Sequence, residues 1–347
     1  MTFFTCLSLL SFILFTGYTV YLHWGDWFQV IETLSLVGMG SSSLVKAYSG
    51  LMNSDFYRGN YRRLTALYRN NGKHKKNNRQ LVYWGVLIDY AYWFFLAIFI
   101  SGSFGFLIIP MYTYIRFNER LLLINLHIPG IDTDTSLGYA VTTAYHLMLL
   151  GLAVAGILVA DLAVIIVIGH VAGITDVFKN ALNELDQLLE TNDRNAEQIR
   201  KKLLEVCVIH QEIITYEEDL DAAHGAIVFV QVLSSVACIA LSLFNFYMTL
   251  NIGILTFLAM AFFQLLQYCV MGTILTIKND EIMLALGDTR WYYLPCEMQK
   301  MMGFMLQRSQ NAVEMTIGGI SLLNMETFVE IIKKIYSYSA MLMQFLE

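Results

Sequence analysis

The chain has 347 residues, 56% of them hydrophobic and only 14% charged, with a mean hydropathy of +0.54 and a formal net charge of −6. Soluble domains carry roughly a quarter charged residues, so this composition excludes a soluble globular domain and requires much of the surface to face lipid. The expected fold is all-α: a single polytopic membrane domain over residues 1–347.

Seven runs are long enough to cross a bilayer. Thr2–Leu22 is plainly apolar and has neither a basic flank nor a small-residue cleavage site, so it reads as a first span rather than a cleaved signal. Trp27–Tyr48 is weaker, holding Glu32, Gly38, Gly40 and three serines at Ser41–Ser43, small residues that permit close helix contact. Trp84–Ile109 and Gly138–Gly169 contain Asp89 and Asp161, both placed toward the cytosolic ends, within reach of water or the basic loops. Gly225–Leu250 and Ile252–Ile277 are separated by a tight turn at Asn251, and Val313–Phe345 is the last run.

Lys and Arg sort cleanly between alternate loops. Nine lie from Lys46 to Arg79, five from Lys179 to Lys202 and four from Lys278 to Arg308, against Arg116 and Arg120 in the other set. Cytosolic loops carry the excess of cations, so the N-terminus is expected in the cytosol and the C-terminus outside, opposite to a G-protein-coupled receptor. Two cytosolic stretches, 170–224 and 278–312, read as a helical anchor region. From Thr175 to Asp221, Phe178, Leu182, Leu185, Leu189, Ile199, Leu203, Val206 and Ile213 recur at helical spacing around a break at Thr191–Asp193. This predicts an antiparallel hairpin extending spans four and five. Asn279–Gln310 is amphipathic, and a neighbouring subunit is a natural partner for its apolar face.

Chemistry for catalysis is missing: no Gly-rich phosphate loop, metal-ligand pair set or nucleophile elbow occurs, so neither an enzyme nor a cofactor or metal is expected. His146 and His170 are isolated and read as hydrogen-bonded packing residues. The five cysteines are scattered and suggest no disulfide framework. The last span carries Glu326, Glu330, Lys333 and Lys334 on a narrow arc, with Glu330 before Lys333 and Lys334 at i,i+3 and i,i+4. Charge at that depth faces protein or water rather than lipid. Either the stripe is self-neutralised and packed in a bundle, or the helix has one wet face, as a pore wall needs.

The tail Ser321-Leu322, Phe328, Ile331-Ile332-Lys333 and Tyr336-Ser337-Tyr338 resembles the final span of insect odorant receptors. Upstream, Trp291, Lys300–Met302 and Met305-Leu306-Gln307-Arg308-Ser309-Gln310 resemble that family's segment before the span, as does Ile128-Pro129-Gly130-Ile131-Asp132 before span four. Ser337-Tyr338 and Gln344-Phe345 also match the spacing of the related gustatory receptors' tail, but Tyr-Ser-Tyr and Arg-Ser-Gln favour the odorant branch. A cytosolic segment usual in the family before span one is nearly absent here.

The resemblance implies the odorant-binding subunit of a ligand-gated cation channel. It would assemble with a common co-receptor into a heterotetramer, in the plasma membrane of olfactory sensory neurons, with the last helix of each subunit lining one pore. Its expected partners are that co-receptor, a small volatile organic ligand and membrane lipid, with no nucleic acid. The ligand is expected between the outer halves of spans two, three, four and six. Candidate contacts are Thr33, Leu34 and Val37 on span two, and Ala97, Ile100, Ser101 and Phe104 on span three. Thr142, His146 and Leu149 on span four and Phe257 and Met260 on span six complete the set. By the same resemblance, Met341 and Phe345 match an apolar constriction and Gln344 a neighbouring polar residue of the pore. A gustatory receptor channel is the sibling alternative, and a membrane transporter is a more distant one.

Overall fold

A computed structural model of the chain describes residues 2–52, 54–156, 160–190, 195–250 and 253–344. These residues form ten α-helices: α1 (Thr2–Leu22), α2 (Trp27–Met52), α3 (Ser54–Asn71), α4 (Lys75–Phe117), α5 (Ser136–Gly156), α6 (Leu162–Glu190), α7 (Ala196–Thr249), α8 (Gly253–Asp288), α9 (Cys296–Ser309) and α10 (Met325–Gln344). A 3-10 turn, Trp291–Tyr293, precedes α9. The expected all-α architecture is the one observed.

Several helices outrun the bilayer. At 1.5 Å per residue, the 43 residues of α4 reach roughly 65 Å and the 54 of α7 roughly 80 Å, against a hydrocarbon core of about 30 Å. α7 starts where Asn195 accepts hydrogen bonds from the Glu197 and Gln198 amides, an N-cap of the preferred chemistry. It ends at Leu250, whose left-handed φ of 51° returns its amide to the Phe246 carbonyl. Each of α4 to α8 contains a stretch apolar enough to cross a membrane. That stretch is 72% buried within the chain in α6 and only 12% in α4, so α6 forms the middle of the bundle and α4 faces outward.

Two hydrophobic clusters stack along the long helices. The upper joins Phe95 and Phe99 of α4, Ile165 and Ile168 of α6, Val228 and Val232 of α7, Leu265 and Tyr268 of α8, and Phe328 and Ile335 of α10. The lower joins Phe178, Leu182, Leu185 and Leu189 to Leu203, Val206 and Ile213 and to Met302 and Met305 of α9. This is the α6–α7 hairpin expected from the spacing. Part of the apolar face of the Asn279–Gln310 stretch packs on that hairpin. Among the described residues, Leu284, Trp291, Tyr292, Tyr293 and Phe304 of the stretch remain exposed as large apolar side chains.

Four features differ from the sequence reading. Ser54–Asn71 is a helix, where the sequence showed only a basic loop. Span four bends: α5 stops at Gly156, and Ala160 and Asp161 lie in a π turn that leads into α6. Lys46 does not join the loop cations but is buried in α2, and Asp161 is buried opposite it rather than open to water. The last helix starts at Met325, twelve residues later than Val313. Gly318 and Gly319 take positive φ and reverse the chain, Thr316 bridges to Leu322, and the Asn324 side chain accepts from the Thr327 amide to begin α10.

Candidate ligand site and pore helix

Thr142, His146 and Leu149 lie at i, i+4 and i+7 of α5 and are buried together. His146 Nε2 is 3.0 Å from the Leu126 carbonyl. A carbonyl only accepts, so Nε2 carries the proton and Nδ1 of the neutral ring is an acceptor. That Nδ1 is buried without a hydrogen-bond partner, and so are the hydroxyls of Thr142 and Thr143. Buried polar atoms are nearly always paired, so three unpaired ones within about a turn of α5 mark a place where a polar group of a ligand or water is wanted.

Their surroundings are aromatic and apolar. Leu149 clusters with Phe12 of α1 and Leu126, and Phe15, Ile124, Tyr145, Met148 and Phe257 pack against them. The Phe15 and Tyr145 rings are 5.4 Å apart, and the Tyr145 hydroxyl is 2.7 Å from Ser11 Oγ. Phe257 of α8 touches this cluster and the upper core as well.

Met260, buried one turn along α8, lies in a second place: a cleft of about 390 Å³ between α4 and α8. Ser101 lines it, together with Ile98, Gly102, Gly105, Thr256 and Phe263. Ala97, Ile100 and Phe104 are exposed and lie outside it. α4 is therefore turned by one residue from the expected face. Gly102 explains the turn, because a Cβ there would come 2.2 Å from Met260 Sδ. α4 offers its smallest residues to α8, the usual way helices come close in a membrane. On α2, Thr33 is buried with its hydroxyl on the Gln29 carbonyl at 2.8 Å, whereas Leu34 and Val37 are exposed. The structure thus brings Thr142, His146, Leu149 and Phe257 together, puts Ser101 and Met260 in the adjoining cleft, and leaves the other exposed candidates apart. Phe12 and Phe15 of α1, which join this cluster, were not among the expected contacts, because α1 carries no spacing signal that separates a residue facing the cluster from a lipid-facing one.

Below α5, the bend holds an ionic hub. Lys46 Nζ lies 2.7 and 2.9 Å from the two Asp161 carboxylate oxygens. Tyr268 Oη donates to Asp161 at 2.8 Å and Gln264 Nε2 at 3.2 Å, and Gln267 Nε2 reaches the Asp161 carbonyl at 2.5 Å. The hub ties α2, the α5–α6 bend and α8 together. Lower still, Lys278 sits over the Trp84 ring at 4.9 Å and pairs with Asp176 at 3.1 Å and Glu281 at 2.8 Å. Burial alone would push the Glu281 carboxyl up, but hydrogen bonds from Lys278 and Lys179 bring it below its ordinary value. In the hairpin, burial lowers His210 to about 4, and its Nε2 is 2.9 Å from Ser309 Oγ.

α10 packs one face on α7 and α8. Phe328 and Ile335 are buried, the Phe328 and Phe262 rings are 5.5 Å apart, and the Met325 amide donates to Thr273 Oγ1 at 2.9 Å. The opposite stripe is Glu326, Glu330, Lys333, Lys334, Ser337, Met341 and Gln344, and every member is exposed. The charged stripe is therefore not packed against the described residues of this chain, and Lys334 reaches Glu330 only at 3.9 Å. Met341 and Gln344 end that stripe, while Phe345 lies outside the described residues.

The family model described as 7tm odorant receptor matches residues 27–336. Odorant receptor 83c of Drosophila melanogaster is 25% identical over 248 residues, 68% of this chain and 62% of that protein. Odorant receptor Or1 of Anopheles gambiae is 24% identical over 148 residues, 41% of this chain and 36% of that protein. The chain thus spans less than two thirds of the length of these curated relatives. Among solved structures, the insect olfactory receptor OR5 from Machilis hrabei is similar with a TM-score of 0.73 and 13% identity, covering 98% of this chain and 88% of that one. The same receptor in complex with eugenol gives a TM-score of 0.72, also at 13% identity. At that identity the agreement is one of fold.

Proposed function

The chain belongs to the 7tm odorant receptor family, and on that premise we propose that it is the odorant-binding subunit of a ligand-gated cation channel. The observation that carries the reading is the set of unpaired polar atoms on α5, Thr142 Oγ1, Thr143 Oγ1 and His146 Nδ1, beside aromatic walls from α1, α5 and α8. A small volatile molecule with one oxygen function fits that chemistry: apolar area against the rings, and one or two hydrogen bonds to fix orientation. A receptor of the same fold is solved with eugenol, a small phenol.

The pore follows from α10. One such stripe from each of four subunits around an axis gives a wet wall, with Met341 and Gln344 at its outer end, where apolar side chains close a pore by dewetting. The chain assembles with a common co-receptor in the plasma membrane of olfactory sensory neurons. It crosses seven times, with its N-terminus and the anchor regions 170–224 and 278–312 in the cytosol. Without Lys46, seventeen loop cations against two still support that orientation. The family match favours the odorant over the gustatory branch.

Whole-cell recording against an odorant panel tests this. Cells with this chain and the co-receptor should carry an odorant-evoked cation current that neither subunit gives alone, and Met341→Ser should raise the resting current. Odorant-insensitive current, or none at normal surface expression, would reject the reading.

The pocket has its own test. Phe257→Ala should shift half-maximal odorant concentrations by about tenfold or more, as lost apolar contact does in a specificity pocket. Thr142→Val keeps the shape and removes the hydroxyl, so oxygen-bearing odorants should weaken and hydrocarbons should not. Superimposable dose–response curves for both variants would move the site off α5 and α8.

A further inference from the structure

The cations of this chain are concentrated in one place. Residues 54–79 hold eight of the 22 Lys and Arg side chains beside one carboxylate, Asp55, whereas the other 14 cations share the chain with 27 carboxylates.

The fold arranges these cations on two adjoining surfaces. On α3, Arg58, Arg62 and Arg69 fall at i, i+4 and i+11, on one exposed face. Tyr61 stands beside them, 74% exposed. The other face of α3 is held on the bundle, with Tyr57 Oη 3.1 Å from His224 Nε2 and Tyr68 Oη 3.4 Å from His170 Nδ1. On α4, Lys75, Lys76 and Arg79 are exposed in the first turns. Among the described residues, none of these six cations has a carboxylate within salt-bridge distance; Arg63, at 2.7 Å from Asp219, is the one that does in this region.

The position of the bilayer can be read from α4 itself. Val82, Val86, Tyr90 and Trp93 form a largely apolar exposed stripe along the helix, interrupted by the exposed Asp89. Lys75 and Arg79 continue that stripe downward at i,i+3 and i,i+4 steps. The exposed Asp89 ends the acyl region; at 1.5 Å per residue, Arg79 then lies about 15 Å and Lys75 about 21 Å beyond it, in the headgroup layer and the water next to it, where the field of anionic lipids still acts. Exposed tyrosines at Tyr61 and Tyr83 suit the same layer.

We propose that the outer face of α3 and the first turns of α4 form a docking surface for anionic lipid headgroups of the adjoining leaflet, with polyphosphorylated headgroups held tightest. Charge complementarity identifies the partner class, and continuity with the apolar stripe of α4 identifies the bilayer as its source. Clustered cations next to a membrane helix bind such headgroups through summed, salt-sensitive attraction.

The test uses the full chain in neutral detergent and needs neither odorant nor current, so its outcome is separate from that of the channel reading. Fluorescent short-chain phosphatidylinositol 4,5-bisphosphate, phosphatidylserine and phosphatidylcholine are titrated and followed by anisotropy. Affinity should rise with headgroup charge, fall steeply with added salt, and be negligible for phosphatidylcholine. R58Q/R62Q/R69Q and K75Q/K76Q/R79Q should each weaken phosphoinositide binding by about tenfold or more. These side chains are exposed and unpaired, so both variants should elute as the parent does. R200Q/K201Q, on the exposed surface of α7, should bind like the parent. Equal weakening by R200Q/K201Q would show unspecific attraction and overturn the proposal, as would triple variants that bind unchanged. Competition by free inositol trisphosphate as strong as that by the lipid would also overturn it, assigning the surface to a soluble phosphate.

Discussion

Lys46→Met is expected to leave little folded protein at the cell surface. The substitution preserves length and removes the charge, stranding the Asp161 carboxylate where no water reaches it. An uncompensated buried charge costs about 3–5 kcal/mol, a large part of the roughly 5–15 kcal/mol that holds a domain folded. The hub predicts its own rescue. In K46M/D161N the charge is gone from both sides, and the Asn carbonyl still accepts from Tyr268 Oη, now 2.8 Å from Asp161. Surface biotinylation together with fluorescence-detected size exclusion should show the single variant depleted and the double variant largely restored. Parental behaviour of Lys46→Met, or a double variant no better than the single, would mean that the pair does not hold the bend.

Gly272→Ala is expected to be nearly as damaging, through packing rather than charge. A Cβ at Gly272 would lie 1.9 Å from the Leu323 carbonyl oxygen. That oxygen belongs to backbone pinned on both sides: the Leu323 amide donates to the Met315 carbonyl, and the Met325 amide donates to Thr273 Oγ1, each at 2.9 Å. The lead into α10 has nowhere to go, so the cost is about 3 kcal/mol or more. The expected phenotype is specific: α10 is displaced, so evoked current falls further than surface abundance. Gly303→Ala in α9 is the control, since nothing lies within 4 Å of its Cβ and alanine favours a helix. Equal current from both alanine variants would show that α8 does not fix the position of α10.

The parts of this fold that were legible in the sequence are those with a short-range period. Phe178, Leu182, Leu185 and Leu189 against Leu203, Val206 and Ile213 announce a hairpin because each helix repeats its apolar face locally. α3 was illegible because its cations outweigh its few apolar positions, so only its contacts with α7 and α4 reveal a buried side. The bend at Ala160–Asp161 has no residue signature of its own, and Asp161 finds its counter-charge 115 positions away in Lys46. The candidate site divides in the same way. Thr142, His146 and Leu149 share a face by counting along one helix. The one-residue turn of α4 depends on Gly102 meeting Met260 of α8, which no count along α4 contains.

The open stripe of α10 makes an isolated copy of this chain an incomplete solute. Four ionisable side chains on one side of a 20-residue helix have no cover among the described residues. With α10 in the bilayer as proposed, and at about 2.5–3.5 kcal/mol for each charge placed against lipid at the helix centre, a solitary subunit is penalised by an amount comparable to a whole domain's stability. Joining other subunits around water removes that penalty. The free energy of insertion and the free energy of association are then one quantity, drawn from the same four residues. Unassembled copies would carry a polar face into the bilayer that a cell's membrane-protein surveillance can recognise, so the stripe of the proposed pore would also serve as a proofreading mark for assembly.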